Sequence, residues 1–208
     1  MIKVENISAM GFEGSLRGMR NPMNSWNKAD STFVNGVPDI GVNDLNLCKR
    51  LIRSGASHRK YLRMIHVQMD LTAPLYWWKD YDTYKVSTVA NGCSTMHKIH
   101  AKEFTLDDFA HDELDECATN LLDIIIASLN SYRQTFVESG CKDRKSWCAM
   151  IKLLPCSYMQ RRTVDLSYET ILSMIHDRRF HKLQEFRNLC EVLFNELPYL
   201  REFYEAGF

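Results

Sequence analysis

The chain lacks any net charge: 26 lysines and arginines balance 26 aspartates and glutamates over 208 residues. Binding nucleic acid or an acidic membrane surface through bulk electrostatics needs a basic excess, so composition argues for neither partner. No apolar run approaches ~18 residues, the length of a membrane helix. The start, Met1 to Phe12, has no basic start followed by an apolar stretch, the pattern of a secretory signal. The seven cysteines contain no Cys-x-x-Cys pair and are odd in number. Zinc-ligand spacing is absent, and reduced cysteines in a cytoplasmic protein are the expectation. Also missing are G-x-S-x-G, the P-loop, H-E-x-x-H and G-x-G-x-x-G, which removes the common hydrolase, NTPase, zinc-protease and dinucleotide signatures.

What is present is an ordinary globular composition, 45% hydrophobic and 25% charged, on a length that suits one domain spanning residues 1–208. Ile2, Val4 and Ile7 mark a short strand over Met1 to Ile7. Gly11 to Pro38 holds four glycines and two prolines with little periodicity, and reads mostly as loop with one helical turn. In it, Ser25, Trp26, Asn27 and Lys28 either face a ligand or form a surface loop around a packed Trp26. Asn43 to Ser54 is a helix, capped by Asn43, striped by Leu45, Leu47, Cys48, Leu51 and Ile52, and stopped by Gly55. Lys102 to Ser139 is mostly helical, with Thr105 as cap and an apolar stripe from Leu114 to Val137 that serves as scaffold or subunit interface. Further helices are expected over Asp143–Leu153, Ser167–Asp177, Phe180–Phe194 and Tyr199–Tyr204. The pattern is helix-rich α+β.

One stretch, Ser57 to His97, organises the rest. Met64, His66, Gln68 and Asp70 alternate with Ile65, Val67, Met69 and Leu71, the signature of a half-buried strand. Ala73-Pro74 stops it. An aromatic and charged run, Leu75 to Lys85, and a small polar run, Thr88 to Thr95, follow. Asp82, Tyr84 and Lys85 form either a pocket edge or a salt-bridged helix face. Cys93 near His97 gives weak support for a thiol nucleophile, since a base is needed in space rather than in sequence. Arg161, Arg162, Arg178 and Arg179 carry guanidinium groups suited to bidentate phosphate contact, or else solvated surface charge.

Several spaced segments together resemble the flavin-dependent thymidylate synthase family. A helix ends in Arg53-Ser54-Gly55, then Ser57-His58, similar to the family's helix ending in Gly-His, with Ala56 and Ser57 intervening. A strand then runs into Ala73-Pro74 and an aromatic stretch. Glu138-Ser139-Gly140, a short helix and Leu154-Pro155 come next, as in the family. The interval from Arg161 to Arg178 matches that between the family's two nucleotide-binding arginines, and His181 to Glu185 is similar to its His-x-x-x-Glu. The order is collinear over nearly the whole chain. The family signature Arg-His-Arg-x-x-Ser is replaced by Thr83, Tyr84, Lys85, Val86, Ser87 and Thr88. The next element, Asn-Glu-x-Ser-x-Arg, is echoed by Asn91 and by Cys93 or Ser94, without its arginine.

The resemblance implies a central antiparallel sheet wrapped by helices, and a homotetramer with active sites between subunits. It implies methylation of dUMP to dTMP with FAD, NADPH and methylene-tetrahydrofolate, the protein positioning reactants while flavin carries the chemistry. It places Arg161, Arg178, Lys85 and Ser94 at the nucleotide, and His58, Tyr84, Lys85, Thr88, Asn91 and His181 at the flavin. The alternatives are a non-catalytic nucleotide-binding, regulatory or structural protein on the same scaffold, and a different pyrimidine-nucleotide modification.

Overall fold

A computed structural model describes all 208 residues. In chain order the elements are β1 (Lys3–Met10), α1 (Phe12–Met19), β2 (Thr32–Val34), β3 (Val37–Asp39), α2 (Val42–Arg53), β4 (His66–Pro74), α3 (Leu75–Tyr81) and β5 (Thr88–Gly92). Then come α4 (Glu116–Glu138), α5 (Arg144–Leu153), β6 (Met159–Ser167), α6 (Tyr168–Arg178), α7 (Gln184–Glu196) and α8 (Leu200–Glu205). The fold is helix-rich α+β with a central antiparallel sheet in the order β1-β4-β6-β5, and a separate β2-β3 hairpin. No helix is long and apolar enough to cross a membrane. Packing divides the chain into two compact units. One comprises Met1–Lys3, Leu71–Thr83 and Asn91–Arg162, the other Val4–Asp70, Tyr84–Ala90 and Thr163–Phe208.

The alternation in β4 sets its two faces. Ile65, Val67, Met69 and Leu71 are buried. The other parity forms a polar net: His66 Nδ1 lies 2.8 Å and Gln68 Nε2 3.1 Å from Asp165. Asp70 accepts from Asn6 at 2.7 Å and from the Thr163 hydroxyl at 2.5 Å. The second unit's core is built on Phe12, Tyr61, Tyr168 and Phe203, whose rings meet edge to face. In the first unit, Leu122, Ile126, Leu129 and Phe136 of α4 pack with Ile99, Phe104, Phe109 and Met150.

Several sequence expectations change. Gly11 to Pro38 is not mostly loop. Phe12, Leu16 and Met19 recur at helical spacing and are buried in α1, a stripe obscured by Gly14 and Gly18. Asn35-Gly36 closes the β2-β3 hairpin at φ 51° and 81°, the two positive angles of a type I′ turn. Thr105 caps a 3-10 turn, Leu106–Asp108, while the long helix starts later on Asp115, whose side chain accepts from Ala118 N at 2.8 Å. The segment holding Arg161 and Arg162 is strand β6; its exposed polar positions hid the alternation. Asn43 does not cap α2. Asp30 does so from a distance, accepting from Asn43 N at 2.8 Å and Asp44 N at 3.0 Å.

Gly11 has φ 92°, and a Cβ there would lie 2.3 Å from the Met64 carbonyl oxygen. The left-handed backbone alone costs a non-glycine residue about 1–2 kcal/mol. Gly11→Ala is therefore expected to lower unfolding free energy by ~2 kcal/mol or more. Gly14→Ala, inside α1 with open space around it, should raise it by roughly 0.5–1 kcal/mol. Urea denaturation measures both; equal effects would contradict the assignment.

Candidate functional site

A cleft of about 1190 Å³ opens within the second unit. The chain from Gly18 to Lys28 makes one wall. A second is the face of α2 that carries Asn43, Asn46, Leu47, Arg50 and Leu51, at the i, i+3, i+4, i+7 and i+8 spacing of one helix side. A third is the link through Ser57, His58, Lys60, Tyr61 and Met64. Arg20, Lys28, Arg50, His58 and Lys60 line it, and no aspartate or glutamate does.

The first wall is clasped to α2 by a buried ion pair. Asp44 is 1% exposed and Arg20 3%. Arg20 Nε donates to Asp44 Oδ1 at 2.6 Å, and Nη1 to the Ser25 carbonyl at 3.2 Å. Asp44 Oδ2 accepts from Ser31 Oγ at 2.6 Å and from the Asp30 and Ser31 amides at 3.1 Å. Asp30 in turn caps α2. Burial pushes the Asp44 carboxyl up, but the Ser31 hydroxyl, Arg20 and the Asp30 amide outweigh it and hold it below its usual value. Gly41 is needed beside the clasp, since a Cβ there would come within 2.3 Å of Asp30.

A second group of polar residues, also in this unit, centres on Arg178. Its Nε donates to Tyr84 Oη at 3.0 Å, and its guanidinium lies 5.8 Å from the Tyr84 ring and 5.0 Å from the Phe186 ring. His181 stands edge-on to Phe186 at 5.2 Å, and its amide donates to the Arg178 carbonyl at 2.9 Å. The Tyr84–Thr88 loop is strapped to the start of α6. Thr88 Oγ1 donates to the Tyr84 carbonyl at 2.6 Å, Thr170 Oγ1 to the Val86 carbonyl at 2.8 Å, and Ser167 N to the Ser87 carbonyl at 3.3 Å. Burial raises the Tyr84 phenol above its ordinary value, against the lowering by Arg178. It therefore stays neutral and can donate or accept a hydrogen bond.

The structure thus brings Tyr84, Thr88, Arg178 and His181 into one neighbourhood, with Lys85 exposed on the same strapped loop. His58 is in the cleft, as are Ser25, Asn27 and Lys28, whereas Trp26 does not line it. Arg161, Asn91 and Ser94 lie in the first unit. There the Arg161 carbonyl accepts from Cys93 N at 2.9 Å, and Ser94 Oγ accepts from the amides of Met96 and His97. Arg162 is built into that unit, paired with Asp82 at 2.9 Å and stacked 4.2 Å above Trp78. Sequence reasoning missed Arg50 and Lys60; the polar stripe Asn43, Asn46, Arg50 on α2 was the available signal.

This architecture is the fold of the flavin-dependent thymidylate synthases. Two crystal structures of that enzyme from Helicobacter pylori, thymidylate synthase X with FAD and dUMP, align with TM-scores of 0.70 and 0.71 at 15% and 14% identity. The alignments cover 99% and 98% of this chain and 99% of each of those chains. No protein-family model matches the sequence, and no curated protein does.

Removing one partner of a buried ion pair leaves an uncompensated charge and typically costs about 3–5 kcal/mol. Asp44→Ala, which strands Arg20, is expected to fall in that range by urea unfolding. Because the folded carboxyl titrates below the unfolded one, its stabilisation is complete above the usual carboxylate range and is lost as pH falls below that range through the folded carboxyl's lower value. The variant should lose that part of the wild-type acid dependence. An unchanged profile would remove Asp44 from this role.

Proposed function

We propose that the chain, working as one domain, is a divergent flavin-dependent thymidylate synthase-like protein that methylates dUMP to dTMP, with methylene-tetrahydrofolate as carbon donor. The observation carrying this reading is the near-full-length fold match to synthase structures holding FAD and dUMP, with Arg161 and Arg178 at the nucleotide positions of the resemblance. The residues present suit an anionic cofactor: His58 lies in a cleft with several cations and no acidic lining residue. FAD, when bound, supplies the redox chemistry of the transfer, with NADPH as the reductant.

Arg161, Arg178, Lys85 and Ser94 bind the nucleotide. Arg178 is held in place by Tyr84 and Phe186 before any ligand arrives, which lowers the ordering cost of binding. His58, Tyr84, Lys85, Thr88, Asn91 and His181 face the flavin. Tyr84 and Lys85 do the work of the family's Arg-His-Arg, a neutral phenol and one ammonium replacing guanidinium groups. The working form is a cytoplasmic homotetramer.

The second reading is a nucleotide-binding protein without catalysis. It is favoured by the replacement of the family's Arg-His-Arg by Thr83, Tyr84 and Lys85, which leaves Lys85 as the only cation of that motif.

The two readings separate by spectrum and calorimetry. The first expects visible flavin bands in purified protein or on addition of FAD, and rescue of a thymidine auxotroph. Both expect heat on adding dUMP. A charged hydrogen bond contributes about 1.5–3 kcal/mol, so Arg178→Ala should weaken dUMP roughly ten- to 150-fold. A colourless protein that takes up no FAD overturns the enzyme reading. Equal dUMP heat in wild type and Arg178→Ala overturns the nucleotide assignment in both.

A further inference from the structure

All the cysteines are free thiols, and their surroundings differ. Cys48 and Cys190 are buried, and burial pushes both thiols up to about 12, so they stay protonated and unreactive. Cys93, Cys117, Cys141 and Cys156 are exposed. Of these, Cys156 is the one whose sulfur meets an amine: Lys79 Nζ lies 3.7 Å from it. Lys79 is itself exposed on α3, and both residues belong to the first unit. Backbone bonds fix this pairing, so it does not depend on two free side chains happening to meet. The first amides of a helix have no partner within it, and the turn before β6 supplies acceptors for those of α3. Leu75 N donates to the Tyr158 carbonyl and Tyr76 N to the Cys156 carbonyl, each at 3.0 Å. Tyr76 and Lys79 stand at i and i+3 on α3, on one side of the helix. The bond that holds Cys156 at Tyr76 therefore also sets its sulfur beside Lys79.

We propose that Lys79 and Cys156 form a reversible covalent switch, a sulfur–nitrogen bond made when hydrogen peroxide oxidises the thiol. The Cys156 thiolate attacks one peroxide oxygen. The S–O bond forms, the O–O bond breaks, and the departing hydroxide takes up the thiol's proton as water. Sulfur is thereby oxidised to a sulfenic acid and the peroxide is reduced. The neutral Lys79 amine then attacks that sulfur, the condensation with nitrogen that sulfenic acids undergo. The N–S bond forms, the S–O bond breaks, and hydroxide leaves with a proton from nitrogen as a second water. One thiol, one amine and one peroxide give one sulfenamide and two waters. A small thiol reverses the step: it attacks sulfur and releases the amine, and a second thiol reduces the mixed disulfide to free Cys156. The bond ties α3 to the turn before β6 and restricts the unfolded chain between them, which raises stability. The switch does not rest on the synthase reading, since neither residue is assigned to nucleotide or flavin.

The test treats reduced full-length protein with hydrogen peroxide and digests it with trypsin in the absence of reductant. In wild type, mass spectrometry should find the Lys79 and Cys156 peptides joined, at the sum of their masses less two hydrogens, with no cleavage after Lys79. Dithiothreitol should release both peptides unchanged. Lys79→Arg keeps the charge and removes the attacking amine; its Cys156 should instead be trapped by dimedone as the free sulfenic acid. Cys156→Ser should give no link. Both substituted side chains are exposed, and circular dichroism checks that the fold is kept. Oxidised wild type should melt at a higher Tm than reduced wild type, a rise that neither variant shows. On denaturing electrophoresis the linked protein should run as a monomer. A link between two chains overturns the geometry. Cys156 carried to sulfinic acid with the Lys79 peptide free overturns the switch, as does a Cys156 that stays reduced while the other exposed thiols oxidise.

Discussion

Asp44 is a carboxylate taken almost wholly out of water in the first turn of α2, a placement that is tolerable only when every acceptor site is filled. Arg20, Ser31 and the amides of Asp30 and Ser31 fill them. Asp30 then returns the favour at the helix terminus, where two backbone amides need acceptors. The outcome is a reciprocal clasp between a glycine-containing loop and a helix. Without it the chain from Gly18 to Lys28 has short, half-exposed turns and little apolar burial of its own. With it, that chain becomes a wall, and the concavity between wall and helix persists in water.

The same logic governs the loop from Tyr84 to Thr88. It has no regular structure, yet its carbonyls are claimed by Thr88, Thr170 and Ser167. Tyr84 is thereby set against Arg178. An arginine that is stacked and hydrogen-bonded loses little rotamer freedom on meeting an anion, so the arrangement trades free charge for order. Arg162 shows the structural limit of this trade. With Asp82, Gln160 and Trp78 all engaged, it serves the packing of the aromatic segment. Neighbours in sequence, Arg161 and Arg162 point to different uses because successive residues of a strand face opposite ways.

Much of the fold was legible in the sequence, and where it failed the reasons are physical. Strand β4 was readable because burial of one face forces period two. Helices α2, α5, α6, α7 and α8 were readable from apolar stripes and stop signals. Helix α1 was not, because Gly14 and Gly18 looked like breakers although Phe12, Leu16 and Met19 hold it by burial. Strand β6 was not, because Gln160 to Thr163 carry no apolar residue to reveal a period. Thr105 was assigned to the long helix because a capping pattern announces a helix start without stating its length; the turn it opens lasts three residues.

For the site, residue types were legible and partnerships were not. The sequence alone determined the candidate groups, the order of segments that resembles a synthase family, and the replacement of Arg-His-Arg by Thr83-Tyr84-Lys85. Those are properties of position along the chain. Only the tertiary structure decided that Lys28, Arg50 and Lys60 converge on one cleft, that Asp44 neutralises Arg20 there, and that Tyr84 attends Arg178. Each of those pairings joins residues far apart in the chain. Which charges end up answered, and which stay open to a ligand, depends on long-range packing and burial, and neither composition nor spacing encodes them locally.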